Sequence, residues 1–429
     1  MKKLNVPTHK LLDLFFKYAI AAVLLFIPLY PKFPLFTVPF TYVQIRAEDF
    51  LIAAVWGIFF LKTIVVKKIK LPPVTFQIGV YFLVGTVSLL SAIFITKNII
   101  PSVAVLHLFR RVEYLSIFFL VYWASKDQSS RRYYFELILI SSIGVLLYGL
   151  AQIYLSAPVI STMDAEASKG MALTLRPGVP LSSTFAGHYD LAIYLIMILS
   201  FLTAVACSIK GWLKRLPVLL FFVIILWLFM QAGSRIGLLG LFASVSVICL
   251  LYRRFLLGLV LLIIMSAFII TSPAFIGRFQ SIIKIFTSQV ILIKPTYAAE
   301  ELRSIQQDTS TSIRLDVEWP MSLRSFYKNP VLGTGYSSLG LATDNDYLRA
   351  LGETGLLGTL AFLSVLIALF NKLKGSLKDQ KGLNRVLVTS ALGIFVSFLI
   401  TAIFLDVFES SKIAILFWAY MGLALSTKS

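Results

Sequence analysis

"ATDNDYLRALGETGLLGTLAFLSVLIALFN", residues 342–371, sets a polar half directly against an apolar half. The first part carries Asp344, Asn345, Asp346, Arg349 and Glu353, and the rest is apolar for a full helix length. Crossing a bilayer takes roughly 20 apolar residues, and charges there must face protein or water. The stretch therefore reads as a membrane helix over 347–371 with charge gathered at its mouth.

The same apolar pattern recurs along the chain. Spans are expected near 14–30, 48–66, 75–95, 101–124, 133–155, 183–208, 213–232, 235–251, 254–271, 347–371, 385–404 and 411–426. Of 429 residues, 58% are hydrophobic and 14% charged. The mean hydropathy is +0.88, more apolar surface than compact soluble domains of this length bury. The expectation is an all-α polytopic membrane protein of about 12 transmembrane helices. Its parts would be helices 1–9 over residues 1–271, a large external loop over 272–346, and helices 10–12 over 347–429.

Basic residues explain the orientation. Lys2, Lys3, Lys67, Lys68, Arg131, Arg132, Lys210, Arg253, Arg254, Lys372 and Lys378 fall in every second connector. That alternation places both termini in the cytoplasm and accounts for most of the +19 net charge. Nucleic-acid binding is not indicated, since zinc-finger spacings and basic–aromatic repeats are missing. Cys207 and Cys249 lie in apolar runs and read as small buried hydrophobes. His9, His107 and His188 are scattered, and neither metal nor cofactor is expected. The N-terminal apolar stretch has no small-residue cleavage site and reads as a retained first helix.

Two outer segments, 156–182 and 272–346, exceed ordinary connector length, and long ordered loops usually carry function. "FQSIIKIF" in the second places Phe279, Ile282, Ile283 and Phe286 on one helical face, as a surface-lying helix would. "SIRLDVEW" reads as a short helix that Pro320 ends, kinks or follows with a new start.

Several polar residues need a reason. Arg110, Arg111 and Glu113 lie inside the fourth span, either as a buried ion pair or as the lining of a polar cavity. Arg46, Glu48 and Asp49 open the second span, where acids suit the helix dipole. Arg235 in "QAGSRIGLLG" is either a snorkelling arginine or an anion site at a helix start. His188 and Asp190 begin the sixth span, with Ser183 or Thr184 as candidate caps. Asp344 or Asn345 would cap the tenth span, followed by Tyr347. Glu353 then lies too deep for capping, beside Gly352, Gly355 and Gly358, whose spacing admits a close neighbour.

At these residues the chain resembles the bacterial O-antigen ligase and O-antigen polymerase superfamily. "SRIG" is similar to the family's Ser-Arg element, giving Arg235. "IRLDVEW" with "NPVLGTGY" is similar to its Arg–Trp helix and Pro-Leu-Gly-x-Gly turn, giving Arg314, Trp319, Pro330, Gly333 and Gly335. "DNDYLRALGETGLLG" resembles the ligase signature His-Asn-x9-Gly-x-x-Gly at Asn345, Gly355 and Gly358, with Asp344 where the histidine would stand. Polymerases lack a strict histidine there, and some carry Arg-x10-Gly in two outer loops, as Arg176…Gly187 and Arg324…Gly335 do here.

The resemblance implies a GT-C-like glycosyltransferase of the bacterial cytoplasmic membrane, acting on its outer side. Its donor would be a polyprenyl-pyrophosphate-linked glycan, with a flippase or chain-length regulator as protein partners. Arg235 and Arg314 are then expected on the pyrophosphate, where a guanidinium fork binds phosphate oxygens in pairs. Arg176 and Arg324 are expected on glycan or phosphate, with Arg46, Arg110, His188, Asn345, Tyr347 and Gly335 as further substrate contacts. Asp344 or Glu353 would be the base or orient the acceptor hydroxyl. The missing histidine favours a polymerase over a ligase or protein O-oligosaccharyltransferase. A secondary transporter is the reading from another class, and polarity gathered at one face argues against it.

Overall fold

The computed structural model describes residues 8–41, 43–66, 70–159, 173–174, 179–271, 313–340 and 343–428. The helices are α1 (Thr8–Leu29), α2 (Ala47–Val66), α3 (Thr75–Ser91), α4 (Pro101–Ala124), α5 (Gln128–Tyr154), α6 (His188–Ser208), α7 (Trp212–Ala232), α8 (Arg235–Leu251) and α9 (Phe255–Thr271). Further along the chain come the short α10 (Trp319–Lys328), then α11 (Asp346–Ser376), α12 (Gly382–Thr401) and α13 (Ser411–Leu425). Each expected span falls on one of these helices.

Seven of them, α1, α3, α5, α6, α7, α11 and α12, are long and apolar enough to cross a membrane among the described residues. α8, α9 and α13 are apolar but shorter. The chain is an all-α polytopic membrane protein. α6 and α13 form its centre and are buried on almost every side. Small and hydroxyl residues let neighbours approach and hydrogen-bond across apolar faces. Ser200 of α6 meets Ser244 of α8 at 2.6 Å, and Ser390 of α12 meets Tyr420 of α13 at 2.6 Å. Gly422 of α13 lies against the Phe118 carbonyl of α4, where a Cβ would have no room. Cys207 and Cys249 are buried and free, as expected, with their sulfurs 3.8 Å apart.

Two local features differ from the sequence reading, and a third follows one of its alternatives. Two small antiparallel hairpins stand at the helix ends: β1 (Pro34–Thr37) with β2 (Gln44–Arg46), and β3 (Pro158–Val159) with β4 (Leu173–Thr174). The first follows from an extended, proline-punctuated connector that cannot be helical. α6 begins at His188 rather than near 183, and neither Ser183 nor Thr184 caps it. Their hydroxyls donate instead to the carbonyls of Val145 and Pro28, tying the preceding turn to α5 and α1. Residues 314–318 form a π-helical turn that runs into α10, and Pro320 sits in the first turn of α10, where a missing N–H costs nothing. The amphipathic stretch expected at 279–286 lies outside the described residues.

Candidate active site

Asn345 caps α11, its side chain accepting the Leu348 N–H at 2.9 Å. The helix then breaks at Gly355, which has φ +65°. A left-handed residue costs an L side chain roughly 1–2 kcal/mol, and glycine escapes that. The break frees backbone groups, and the turn "NPVLGTGY" takes them up. Thr334 N–H donates to the Gly352 carbonyl and Gly335 N–H to the Glu353 carbonyl, at 3.0 and 2.8 Å. Leu356 and Leu357 N–H donate to the carbonyls of Pro330 and Val331. Ser88 of α3 donates to the carbonyls of both Leu332 and Glu353. Gly333 and Gly355 stand so close that a Cβ on either would lie 2.5 Å from backbone of the other segment. The neighbour that the glycine spacing admits is therefore this turn of the same chain.

The interlock fixes Glu353 deep in the bundle. Its Oε2 lies 2.7 Å from Arg111 Nη2, and its Oε1 lies 3.4 Å from Arg349 Nη1 and accepts the Ser337 N–H at 3.1 Å. Arg111 also meets Glu409 at 2.8 Å and lies over the Tyr336 ring at 4.3 Å. Arg349 forks onto Asp406, 2.7 Å from Oδ2 and 3.4 Å from Oδ1. Charges this buried persist only when paired, and every member here has an opposite charge within 3.4 Å. Arg111, Arg349, Glu353 and Glu409 line a cavity between α3, α4, α11 and α13, with Tyr81, Tyr114, Phe362, Phe408 and Trp418.

One step outward, Arg314 and Asp344 pair with each other. Arg314 Nε donates to Asp344 Oδ2 at 2.9 Å, and Nη2 touches the same oxygen at 2.7 Å without hydrogen-bond alignment. Arg314 also faces the Tyr189 ring at 5.9 Å. Asp344 lines an open cleft with Lys32, Tyr189, Asp190, Asp406, Glu409 and Ser410, enclosing about 910 Å3 with its mouth included. Burial pushes the Asp344 carboxyl up and the neighbouring Asp406 adds to this, against the pull of Arg314 and Arg349. Burial likewise pushes Glu409 up, against Arg111. For Asp406 burial works upward too, but Arg349 and three backbone donors outweigh it and hold that carboxyl below its usual range.

The structure brings Arg314, Asp344, Asn345, Glu353 and Gly335 together. His188 adjoins them, its ring 4.0 Å from that of Tyr189. Gly335, at φ +92°, serves the interlock and leaves no space for a side chain beside Ala92. The Tyr347 hydroxyl donates to the Leu399 carbonyl, so this residue ties α11 to α12. Arg110 donates to the Gln44 carbonyl of β2. Arg46 belongs to a neighbouring polar group with Glu48 and Ser411, 3.8 and 3.5 Å away. Arg324 is exposed on α10. Arg235 begins α8 behind the Ser234 cap and is half-buried, outside the linings of both cavities. Arg176 lies outside the described residues. Among the described residues no cluster of acids, histidines or cysteines has the makings of a metal site.

Residues 220–363 match the O-antigen ligase family. That stretch is similar to O-antigen ligases. The match supports the O-antigen ligase/polymerase superfamily and indicates that type of function, a glycosyltransferase-like enzyme in a membrane with a lipid-linked glycan as substrate. No curated protein matches the chain. The O-antigen ligase-type match holds Arg235, Arg314, Asp344 and Glu353, while Arg111, Asp406 and Glu409 complete the site from outside it. Asp406, Glu409 and Arg349 are what the sequence reading did not assign, and Arg111 it read only as an ion pair or cavity lining. Arg110 was nominated rather than Arg111, and one residue on a helix turns a side chain by about 100°. Asp406 and Glu409 stand in a short connector, "LDVFES", whose only signal is two acids between apolar spans.

Proposed function

We propose that the protein is a polysaccharide polymerase of the O-antigen type. It would join polyprenyl-pyrophosphate-linked oligosaccharide repeat units on the outer side of the bacterial cytoplasmic membrane. The observation that carries glycosyl transfer is the Arg314–Asp344 pair at the lip of the cleft, inside the family match. Asp344, in the place of the ligase signature's histidine, favours polymerase over transfer to a different acceptor.

In this reading Arg314 exchanges partners. Its Nη2 has no aligned acceptor among the described residues, so a pyrophosphate oxygen has a donor waiting. As phosphate takes over the guanidinium, the Asp344 carboxylate is released toward the cleft. The acceptor hydroxyl attacks the anomeric carbon of the donor, and a new glycosidic C–O bond forms as the bond to pyrophosphate breaks. The proton passes to Asp344, and the electron pair leaves with polyprenyl pyrophosphate. A carboxyl raised by burial is a better base than an ordinary one. Arg314 stabilises the charge growing on the leaving group. Arg235 starts α8, which packs on α12 near Thr401, at the same end of the bundle, and this supports a second phosphate contact. Glu353, locked between two arginines and a backbone N–H, suits a role in holding the site's charge balance.

The test is direct. Purified protein is given a synthetic polyprenyl-pyrophosphate repeat unit, and the products are weighed by mass spectrometry. A ladder of repeat units on the carrier is expected. A single transfer to a different acceptor would replace this reading by the ligase one.

A further inference from the structure

Three successive backbone N–H groups, those of Thr343, Asp344 and Asn345, point at one side chain. They donate to Asp406, Thr343 and Asp344 to Oδ2 at 2.9 and 3.2 Å and Asn345 to Oδ1 at 3.2 Å. Arg349 holds the same carboxylate from the other side. Asp406 is 61 to 63 residues from this turn in sequence and sits in the α12–α13 connector. Within the turn Asp344 has φ +48°, a left-handed conformation that a non-glycine residue keeps only when its surroundings impose it. Next to it Asp346 N–H donates to the Ala402 carbonyl, and Asp346 Oδ2 accepts the Phe408 N–H, so the connector grips the turn at both ends. That conformation is what sends the Asp344 side chain to Arg314 and the cleft.

We infer that Asp406 is a positioning residue for the reaction, a carboxylate whose task is to hold the 343–345 turn so that Asp344 meets Arg314 at the cleft. The inference rests on the role proposed above for Asp344. Asp406 itself has no part in the chemistry, since both its oxygens are already engaged.

The consequence differs from that of a residue that only stabilises the fold. Asp344 feels Arg314, Arg349, Asp406 and Glu318, with Lys32, Asp190 and Glu409 on the same cleft. Removing the Asp406 charge removes a neighbour that disfavours the Asp344 carboxylate and leaves Arg349 free to favour it. A base is lost as pH falls through its pKa, so the acid limb of the rate profile moves to lower pH in Asp406→Asn.

The experiment compares wild-type protein with Asp406→Asn and Asp406→Glu, each quantified as folded protein in detergent. Hydrogen exchange of the 343–345 amides, affinity for undecaprenyl pyrophosphate, and turnover against pH are measured. In Asp406→Asn the amides should exchange at least about tenfold faster, as the loss of charge-assisted hydrogen bonds requires. Turnover per folded molecule should fall about 100-fold, the scale of a misplaced catalytic group, with pyrophosphate affinity within about threefold. Asp406→Glu keeps the charge and the Arg349 pair but is a methylene too long; it should lose turnover with its acid limb near that of wild type. Unchanged amide exchange, full turnover in Asp406→Asn, or an acid limb that stays in place would overturn the inference. Wild-type protein that transfers no glycan, together with faster exchange in Asp406→Asn, would instead overturn the proposed function and leave the positioning of the turn standing.

Discussion

Arg314 and Asp344 neutralise each other at the lip of the cleft, and that sets the behaviour of single substitutions. Arg314→Ala should abolish turnover nearly completely, and Arg314→Lys should recover little, because an ammonium cannot hold phosphate through a planar fork. Kinetics with the polyprenyl-pyrophosphate donor check both, and wild-type rates in folded Arg314→Ala would remove Arg314 from the chemistry. Asp344→Asn keeps size and acceptor capacity and loses the proton-accepting charge. Much lower turnover with donor affinity retained marks a base, and a mild loss marks an orienting hydrogen bond. For wild-type protein the sign of the pH effect follows from burial of Asp344, which raises its pKa above the ordinary carboxylate value of about 4. Turnover should therefore fade with acid at a higher pH than a solvent-exposed aspartate would give. Asp406 acts oppositely on stability: its depressed pKa contributes stability that is present above the unfolded value and lost as pH falls through the folded one. Thermal unfolding midpoints should drop more steeply below about pH 4 in wild type than in Asp406→Asn.

At the scale of elements, α11 and the 330–335 turn act as one piece. Gly333 and Gly355 give each other backbone-to-backbone access, and both lie at positive φ. Gly355→Ala adds left-handed strain and a collision with the Gly333 amide at once. A destabilisation of roughly 2–6 kcal/mol is expected from the two effects together. Chemical or thermal unfolding measures it, and a change under about 0.5 kcal/mol, the size of a neutral surface substitution, would show that the interlock does not hold the helix. A second test addresses the ion-pair chain between α4, α11 and the α12–α13 connector. Arg111→Met leaves Glu353 and Glu409 short of a cation and should cost about 3–5 kcal/mol. Combining it with Glu353→Gln should recover part of that loss in a double-mutant cycle.

Across the whole molecule, the site sits where α6, α8, α11 and α13 begin and α12 ends. Lys328 of α10 stands just before Pro330, whose carbonyl accepts the Leu356 N–H of α11, and Lys378 follows the end of α11, about 30 Å further along the helix. In a cysteine-free background, Lys328→Cys should react with an impermeant maleimide applied outside the cell, and Lys378→Cys should react only after the membrane is opened. Labelling with the sides exchanged would invert the proposed orientation. The two native cysteines are buried and free.

Apolar run length was enough to mark the apolar helices among the described residues, because bilayer thickness makes a span a local property of about 20 residues. The motif residues Arg314, Asn345, Gly333 and Gly355 were legible for a similar reason, since caps, breaks and turns are set within a few positions. The partners of the charges were not. Arg111 pairs with Glu353 across 242 residues, and Asp406 reaches the turn at 343–345 from the far side of α12. Sequence says that a buried charge needs a partner, but many opposite charges satisfy that need on paper. Only the packing of α4, α11, α12 and α13 brings one set within hydrogen-bond distance, and so decides which carboxylate is free to face the cleft and which is held to support it.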